Sequence, residues 1–314
     1  MGIAMQEEIR HSVSAFRLAK ALLFLLLFSC GGVSAAQENA EDALFWRISQ
    51  DDRFAGYILG TIHSEDPRVL DFSQSFIQQL LSCQVFAMEM VPDLQTLRRL
   101  GEFMHYSQPD KQKQLLGVER AENVMQALSA YSVPDGWKSR MKVWAVMMTL
   151  SVPPSETGLF MDLSISLRSE GAGLEVVGLE TLEQQLSFLQ DMPLDYQLVL
   201  LDNALRDYHQ ISKTHKLMVD RYLDGGLSAL WQLLEDQLAP LDTGIREYFV
   251  DRGIKERNRK MVKTLLPRLA SKSVFVAIGS LHLHGEDGVL KLLQEQGYEL
   301  QPLPLPFNQT SFSE

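Results

Sequence analysis

Cysteine is almost missing from this chain. Its 314 residues contain two, and Cys30 falls in a segment read below as a removable leader. That leaves Cys83 alone, which excludes an intramolecular disulfide. Flanked by Leu80, Leu81, Val85 and Phe86, Cys83 reads as a small buried hydrophobe and not as a nucleophile. Long apolar runs are absent after Phe28, so no later segment approaches the roughly twenty apolar residues of a membrane helix. Positive charge is short as well: 29 Lys and Arg stand against 40 Asp and Glu, a net charge of −11. Without a basic cluster to track phosphates, nucleic acid is excluded as a partner. G-x-S-x-G, H-E-x-x-H, Walker and paired C-x-x-C motifs are all lacking, which removes the commoner serine hydrolase, zinc protease and nucleotide-binding chemistries.

What is present begins with Arg10, Arg17 and Lys20 ahead of Ala21-Leu-Leu-Phe-Leu-Leu-Leu-Phe28, a run too short to span a bilayer. Small residues follow through Ala36. Residues 1–36 therefore read as a secretory signal, with the mature chain starting near Gln37 and destined for the periplasm or the medium. A second reading takes Leu27-Phe-Ser-Cys30 as a lipoprotein box, and membrane attachment is expected only if Cys30 is lipidated.

Residues 37–314 are long enough for a substantial α/β core. Ala43 to Ser49 and Phe54 to Leu59 are short apolar runs separated by Asp51-Asp52-Arg53, the pattern of a β-hairpin. The second run ends in Gly60-Thr-Ile-His63. An amphipathic stretch from Ser73 to Leu81 and the apolar strand Gln84 to Met90 follow. Residues of about 94–150 and 194–270 are mainly of helical period, and between them a helix over Leu159 to Glu170 leads into the strand Leu174 to Leu179. The C-terminal part repeats the opening: strand Ser273 to Ile278, then Gly279-Ser-Leu-His282, a helix over Gly288 to Gln296, and the strand Tyr298 to Leu303. The expected fold is α/β, with a central mixed or parallel sheet built from two β-α-β-type halves and a large helical insertion or cap.

In such sheets ligands bind beyond the carboxyl ends of the strands. Four polar residues sit there: His63, Glu89, Glu180 and His282. A glutamate directly after a buried apolar strand is costly unless paired or coordinated, which sets Glu89 and Glu180 apart from surface carboxylates. Imidazoles and carboxylates together permit metal-assisted hydrolysis, with a divalent ion held by His63, His282 and at least one glutamate, and the other glutamate acting as base. A single G-x-x-H is equally a turn with a hydrogen-bonded histidine; two copies after apolar strands carry more weight.

Arg252, Lys255, Arg257, Asn258 and Arg259 open a helix and read mostly as a solvated face. Arg257 and Asn258 have a second reading, turned inward, where the guanidinium would hold an anionic intermediate or substrate carboxylate and the amide would donate a hydrogen bond. His284, two residues after His282, is a candidate extra ligand. His105, His209 and His215 lack ligand spacing. Met141, Met147, Met148 and Met161 offer an adaptable apolar pocket or, at helical spacing, simply core.

Leu44-Phe-Trp-Arg-Ile-Ser49, Tyr57-Ile-Leu-Gly-Thr-Ile-His63, Phe86-Ala-Met-Glu89, Val177-Gly-Leu-Glu-Thr181 with Gln184-Gln185, Arg257-Asn258 and Ala277-Ile-Gly-Ser-Leu-His-Leu283 together resemble the TraB/GumN family. That family is related to the Tiki metalloproteases and more distantly to erythromycin-esterase and ChaN-like haem-binding folds. The resemblance implies a paired G-x-x-H site at His63 and His282, acidic positions at Glu89 and Glu180, and an Arg-Asn pair at Arg257 and Asn258. It also implies a divalent-metal peptidase activity using manganese or cobalt; zinc is a further candidate ion, and the expected substrate is a peptide or a small molecule. Asp162 matches the family's Val-Asp, although Met161 precedes it here. A non-catalytic envelope protein that binds haem, metal or a peptide is the alternative function.

Overall fold

The computed structural model describes residues 42–224 and 226–308. The leader read over residues 1–36, with its Ala36 and Cys30 alternatives, lies outside them. In chain order the elements are β1 (Phe45–Gln50), β2 (Arg53–Thr61), α1 (Gln74–Leu81), β3 (Val85–Met88), α2 (Leu94–Phe103), α3 (Lys111–Ala127), α4 (Asp135–Lys138), α5 (Val143–Leu150) and α6 (Met161–Gly171). They continue with β4 (Glu175–Gly178), α7 (Leu182–Gln190), α8 (Leu194–Asp207), α9 (Ile211–Asp224), α10 (Gly226–Leu238) and α11 (Thr243–Tyr248). A π-helical segment, Phe249–Lys255, then joins α12 (Glu256–Ser271), followed by β5 (Val274–Gly279), α13 (Val289–Glu295) and β6 (Glu299–Leu303).

Two compact units result. Among the described residues, 92–158 and 182–216 make a helical unit, while 42–91, 159–181, 217–224 and 226–308 hold the sheet. In the helical unit every residue of α5 is buried. Gln197 on α8 accepts from the Trp144 backbone N–H at 3.1 Å and donates to the Met192 carbonyl at 2.8 Å. Met141, Met147 and Met148 are buried there, as is Met161 in the other unit. All four methionines are core.

The sheet has the order β4-β3-β5-β2-β1-β6. It is mixed: β4, β3, β5 and β2 run parallel, while β1 pairs antiparallel with both β2 and β6. The hairpin between β1 and β2 turns on Asp51 and Asp52, both at positive φ (51° and 60°). That is the handedness a two-residue hairpin turn requires, and aspartate tolerates it better than most residues. α1 starts at Ser73, whose hydroxyl accepts from the Phe76 N–H at 3.2 Å, and it buries Phe76 and Leu80. Phe275 on central β5 lies 6.0 Å from Phe45, 5.4 Å from Phe76 and 6.3 Å from Phe86, ring centre to ring centre. Burying each such side chain stabilises the fold by about 1.5–3 kcal/mol.

The two similar ends of the chain interleave in this sheet. β5 lies between β2 and β3, so the strands leading to His63 and His282 are direct parallel neighbours, with Gly60 opposite Ile278 and Thr61 opposite Gly279. On the other side of β5, Met88 is opposite Ala277, and Gly178 is opposite Met88 one strand further. Four parallel strands therefore end together, followed in order across the sheet by Glu180, Glu89, His282 and His63.

Candidate functional site

The first G-x-x-H turn needs its glycine for room. A Cβ on Gly60 would lie 2.8 Å from Leu283 Cδ1 and 3.0 Å from the Cα of Ser280, in the second motif. Gly60 also offers its carbonyl to the fully buried Tyr222 hydroxyl, which donates at 2.7 Å. Burial and the charge of Asp162 push the Tyr222 phenol well above its ordinary range.

Glu89 and Glu180 are buried and share one cation. Arg257 Nη2 donates to Glu89 Oε2 at 2.6 Å and to Glu180 Oε2 at 2.5 Å, while its Nε reaches Glu180 Oε2 at 3.0 Å and Oε1 at 3.2 Å. Glu89 Oε1 accepts from the Gly279 N–H at 2.8 Å. The strand ends are tied too, the Glu180 N–H donating to the Glu89 carbonyl at 2.8 Å. Two carboxylates and one guanidinium leave a net negative charge in a buried site, and the pair divides it unequally. Burial raises both carboxyls, but for Glu89 the charges of Arg257 and His282 and the Gly279 N–H outweigh it, so its pKa falls below the ordinary value. For Glu180, burial and the neighbouring Glu89 outweigh Arg257, and its pKa rises. Arg257 remains charged: burial opposes this, but the two carboxylates raise its pKa further.

Arg257 and Asn258 thus face inward, while Arg252, Lys255 and Arg259 keep solvent-accessible side chains, as the solvated face requires. The π-helical segment explains how. A buried row steps by four residues through Phe249, Gly253, Arg257, Met261, Leu265 and Leu269. In an unbroken α-helix of about 3.6 residues per turn a four-residue step drifts round the axis; across Phe249–Lys255 the wider π turns absorb that drift and keep Arg257 on the face of Phe249 and Gly253. Arg257 holds protein carboxylates in place of the substrate carboxylate or intermediate expected from sequence. The Asn258 amide is also engaged within the protein: its Nδ2 donates to the Asp287 carbonyl at 2.8 Å.

That bond fixes the chemistry of His282. With Nδ2 on Asp287, Asn258 turns Oδ1 toward His282 Nδ1 at 2.6 Å. The acceptor requires a proton on Nδ1 and so leaves the lone pair on Nε2, which lies 3.8 Å from Glu89 Oε1. Burial, opposed by Glu89 and reinforced by Arg257, lowers the His282 pKa from 6.5 to about 4, so the ring is neutral near pH 7.

His63 is buried in a different setting. Its ring stacks on Phe160 at 3.8 Å and 12°, and its Nδ1 lies 3.9 Å from Asp162 Oδ2. Asp162 Oδ1 accepts a hydrogen bond from Thr61 Oγ1. Phe160, Thr61 and Tyr222 were not singled out from sequence, because aromatic and hydroxyl side chains at such positions carry no periodic signal. His284 stacks on Trp231 at 4.9 Å. His105 Nδ1 pairs with the Gly101 carbonyl at 2.6 Å in the helical unit.

The donor set fits a divalent ion only in part. A neutral imidazole with its lone pair on Nε2, beside a carboxylate oxygen, is the chemistry such an ion takes. Glu180, however, gives both oxygens to Arg257. Among the described residues no three His, Cys, Asp or Glu side chains gather into a metal-holding group.

Fold and site together define an α/β protein carrying a buried acid-imidazole cluster at the ends of four parallel strands. The chain belongs to the TraB/PrgY/gumN family, whose model matches residues 44–302. Metalloprotease TIKI2 of Danio rerio is 23% identical over 84% of this chain and 61% of its own length. Metalloprotease TIKI1 of Homo sapiens is 23% identical over 85% of this chain and 63% of its own length. The chain thus spans less than two thirds of these relatives. A Metalloprotease TIKI homolog of Amphimedon queenslandica is 22% identical over 91% of this chain. No solved structure matches the chain.

Proposed function

We propose that the protein is an exported metal-dependent hydrolase acting on peptides. The observation that carries the reading is His282, neutral, with Nδ1 anchored by Asn258 and Nε2 beside Glu89 Oε1. It is supported by the relatives, which bear the name metalloprotease. In this reading His282, Glu89 and His63 would have to draw together around the ion, since no three such side chains gather among the described residues; manganese, cobalt and zinc are the candidates. The ion would supply a Lewis acid and a water of lowered pKa. Glu180, its carboxyl pushed upward, takes up and returns a proton, and Arg257 keeps both glutamates oriented. A small-molecule ester or amide is the alternative substrate, and nucleic acid is not a partner.

Adding Mn²⁺, Co²⁺ or Zn²⁺ is expected to raise the melting temperature of the purified protein and to stimulate cleavage of a peptide library. His63→Ala and His282→Ala should abolish both effects. Equal thermal shifts in wild type and variants sink the proposal. Metal binding without turnover would favour the non-catalytic envelope binder instead. Export rests on the leader, and the N-terminal mass of the protein recovered from the envelope would distinguish cleavage at Ala36 from lipidation at Cys30.

A further inference from the structure

Each motif histidine has a helix-borne side-chain oxygen near its Nδ1: Asn258 Oδ1 on α12 lies 2.6 Å from that of His282, and Asp162 Oδ2 in the first turn of α6 lies 3.9 Å from that of His63. The second distance exceeds a hydrogen bond, as contacts within sites often do before a ligand binds. Asp162 is otherwise placed for that contact. Its Oδ1 is engaged by Thr61 Oγ1, on the strand that leads to His63, and its Oδ2 is buried and accepts no hydrogen bond among the described residues. The Met161 N–H, adjacent in sequence, donates to the Ser64 carbonyl at 3.2 Å, tying the start of α6 to the residue after His63. Phe160 covers one face of the imidazole and restricts its rotation.

We infer that Asp162 is a positioning residue for His63: it accepts from Nδ1–H, holds the ring against Phe160 and so keeps the lone pair on Nε2. Thr61 is the brace that aims the carboxylate. This role rests on the reading of the site as a hydrolytic metal centre, yet the tautomer of His63 is measurable without metal or substrate.

The test uses the full protein labelled with ¹⁵N at histidine. Long-range ¹H–¹⁵N spectra of metal-free protein should show His63 protonated on Nδ1. In Asp162→Asn the amide oxygen stays with Thr61 and Nδ2 faces the ring as a donor, so the proton should move to Nε2. Mn²⁺ affinity should then fall about 10–100-fold, the loss typical of a partner removed from behind a metal-binding histidine. Asp162→Glu should restore the Nδ1 tautomer in part, a rescue that a purely structural role would not give. Thr61→Val should shift the populations in the same direction as Asp162→Asn by a smaller amount. The inference is overturned if His63 keeps one tautomer in wild type and Asp162→Asn alike, or carries its proton on Nε2 in the wild type. If the tautomer follows Asp162 but wild type takes up no Mn²⁺, the positioning role stands and the metal reading fails.

Discussion

Arg257 carries the largest electrostatic burden of any single residue at the strand ends. It is buried, and it neutralises one of two carboxylates that are themselves buried. Arg257→Met would leave Glu89 and Glu180 facing each other, at a cost of about 3–5 kcal/mol. Urea unfolding at neutral pH should show that loss, and a variant within about 0.5 kcal/mol of wild type would mean the pair is not buried as described. Replacing both glutamates by glutamine along with Arg257→Met should recover part of the loss, because the cost lies in unpaired charge. His282 makes a prediction about pH. Its pKa is lowered from 6.5 to about 4 on folding, so between those values the unfolded chain binds more protons than the folded one. Stability is then full above pH 6.5 and declines as pH falls toward about 4, by on the order of 3 kcal/mol. In metal-free protein, His282→Gln should flatten that part of the stability profile. Glu89, lowered in the fold, acts in a separate window, losing its contribution only as pH drops below its ordinary value of 4.5.

At the scale of elements, the histidine turns work through strand spacing. β2 and β5 are hydrogen-bonded neighbours, and the absence of a side chain at Gly60 lets Ser280 and Leu283 pack against the first turn. Gly60→Ala should force the second turn outward and cost about 1–3 kcal/mol from overpacking. It should also weaken metal binding without touching a proposed ligand. A thermal melt with and without Mn²⁺ reads both effects, and an unchanged metal response would argue against a shared site. The pairing of these turns was half legible in sequence: each apolar strand and its G-x-x-H could be seen, and so could the glutamates after β3 and β4. Arg257 and Asn258 were ambiguous because helical periodicity places a charged cluster on the outside unless the helix departs from 3.6 residues per turn. A π segment has no composition of its own and leaves no periodic signal to read. The one available signal was that Arg257 and Asn258 precede Met261 and Val262 by one turn, on the face that proves buried.

For the whole molecule, ligand linkage sets the scale of the functional test. A divalent ion at about 100 times its dissociation constant stabilises the folded state by about 2.7 kcal/mol. For a protein of this size that is a rise of about 4–5 °C in melting temperature, large enough that its absence in wild type would be decisive. No described helix is long and apolar enough to cross a membrane. Sequence by itself determined the α/β class, the hairpin on Asp51 and Asp52, the helical character of the intervening segments and the strand ends where polar groups collect, because all of these follow from local periodicity and turn chemistry. Only the tertiary structure decided that β5 enters between β2 and β3, that the strands leading to the two histidines are therefore neighbours, that one guanidinium serves both glutamates, and that Asn258 bonds one imidazole while Asp162 lies 3.9 Å from the other. Strand order and ion pairing depend on contacts between residues far apart in the chain, and no local pattern encodes them.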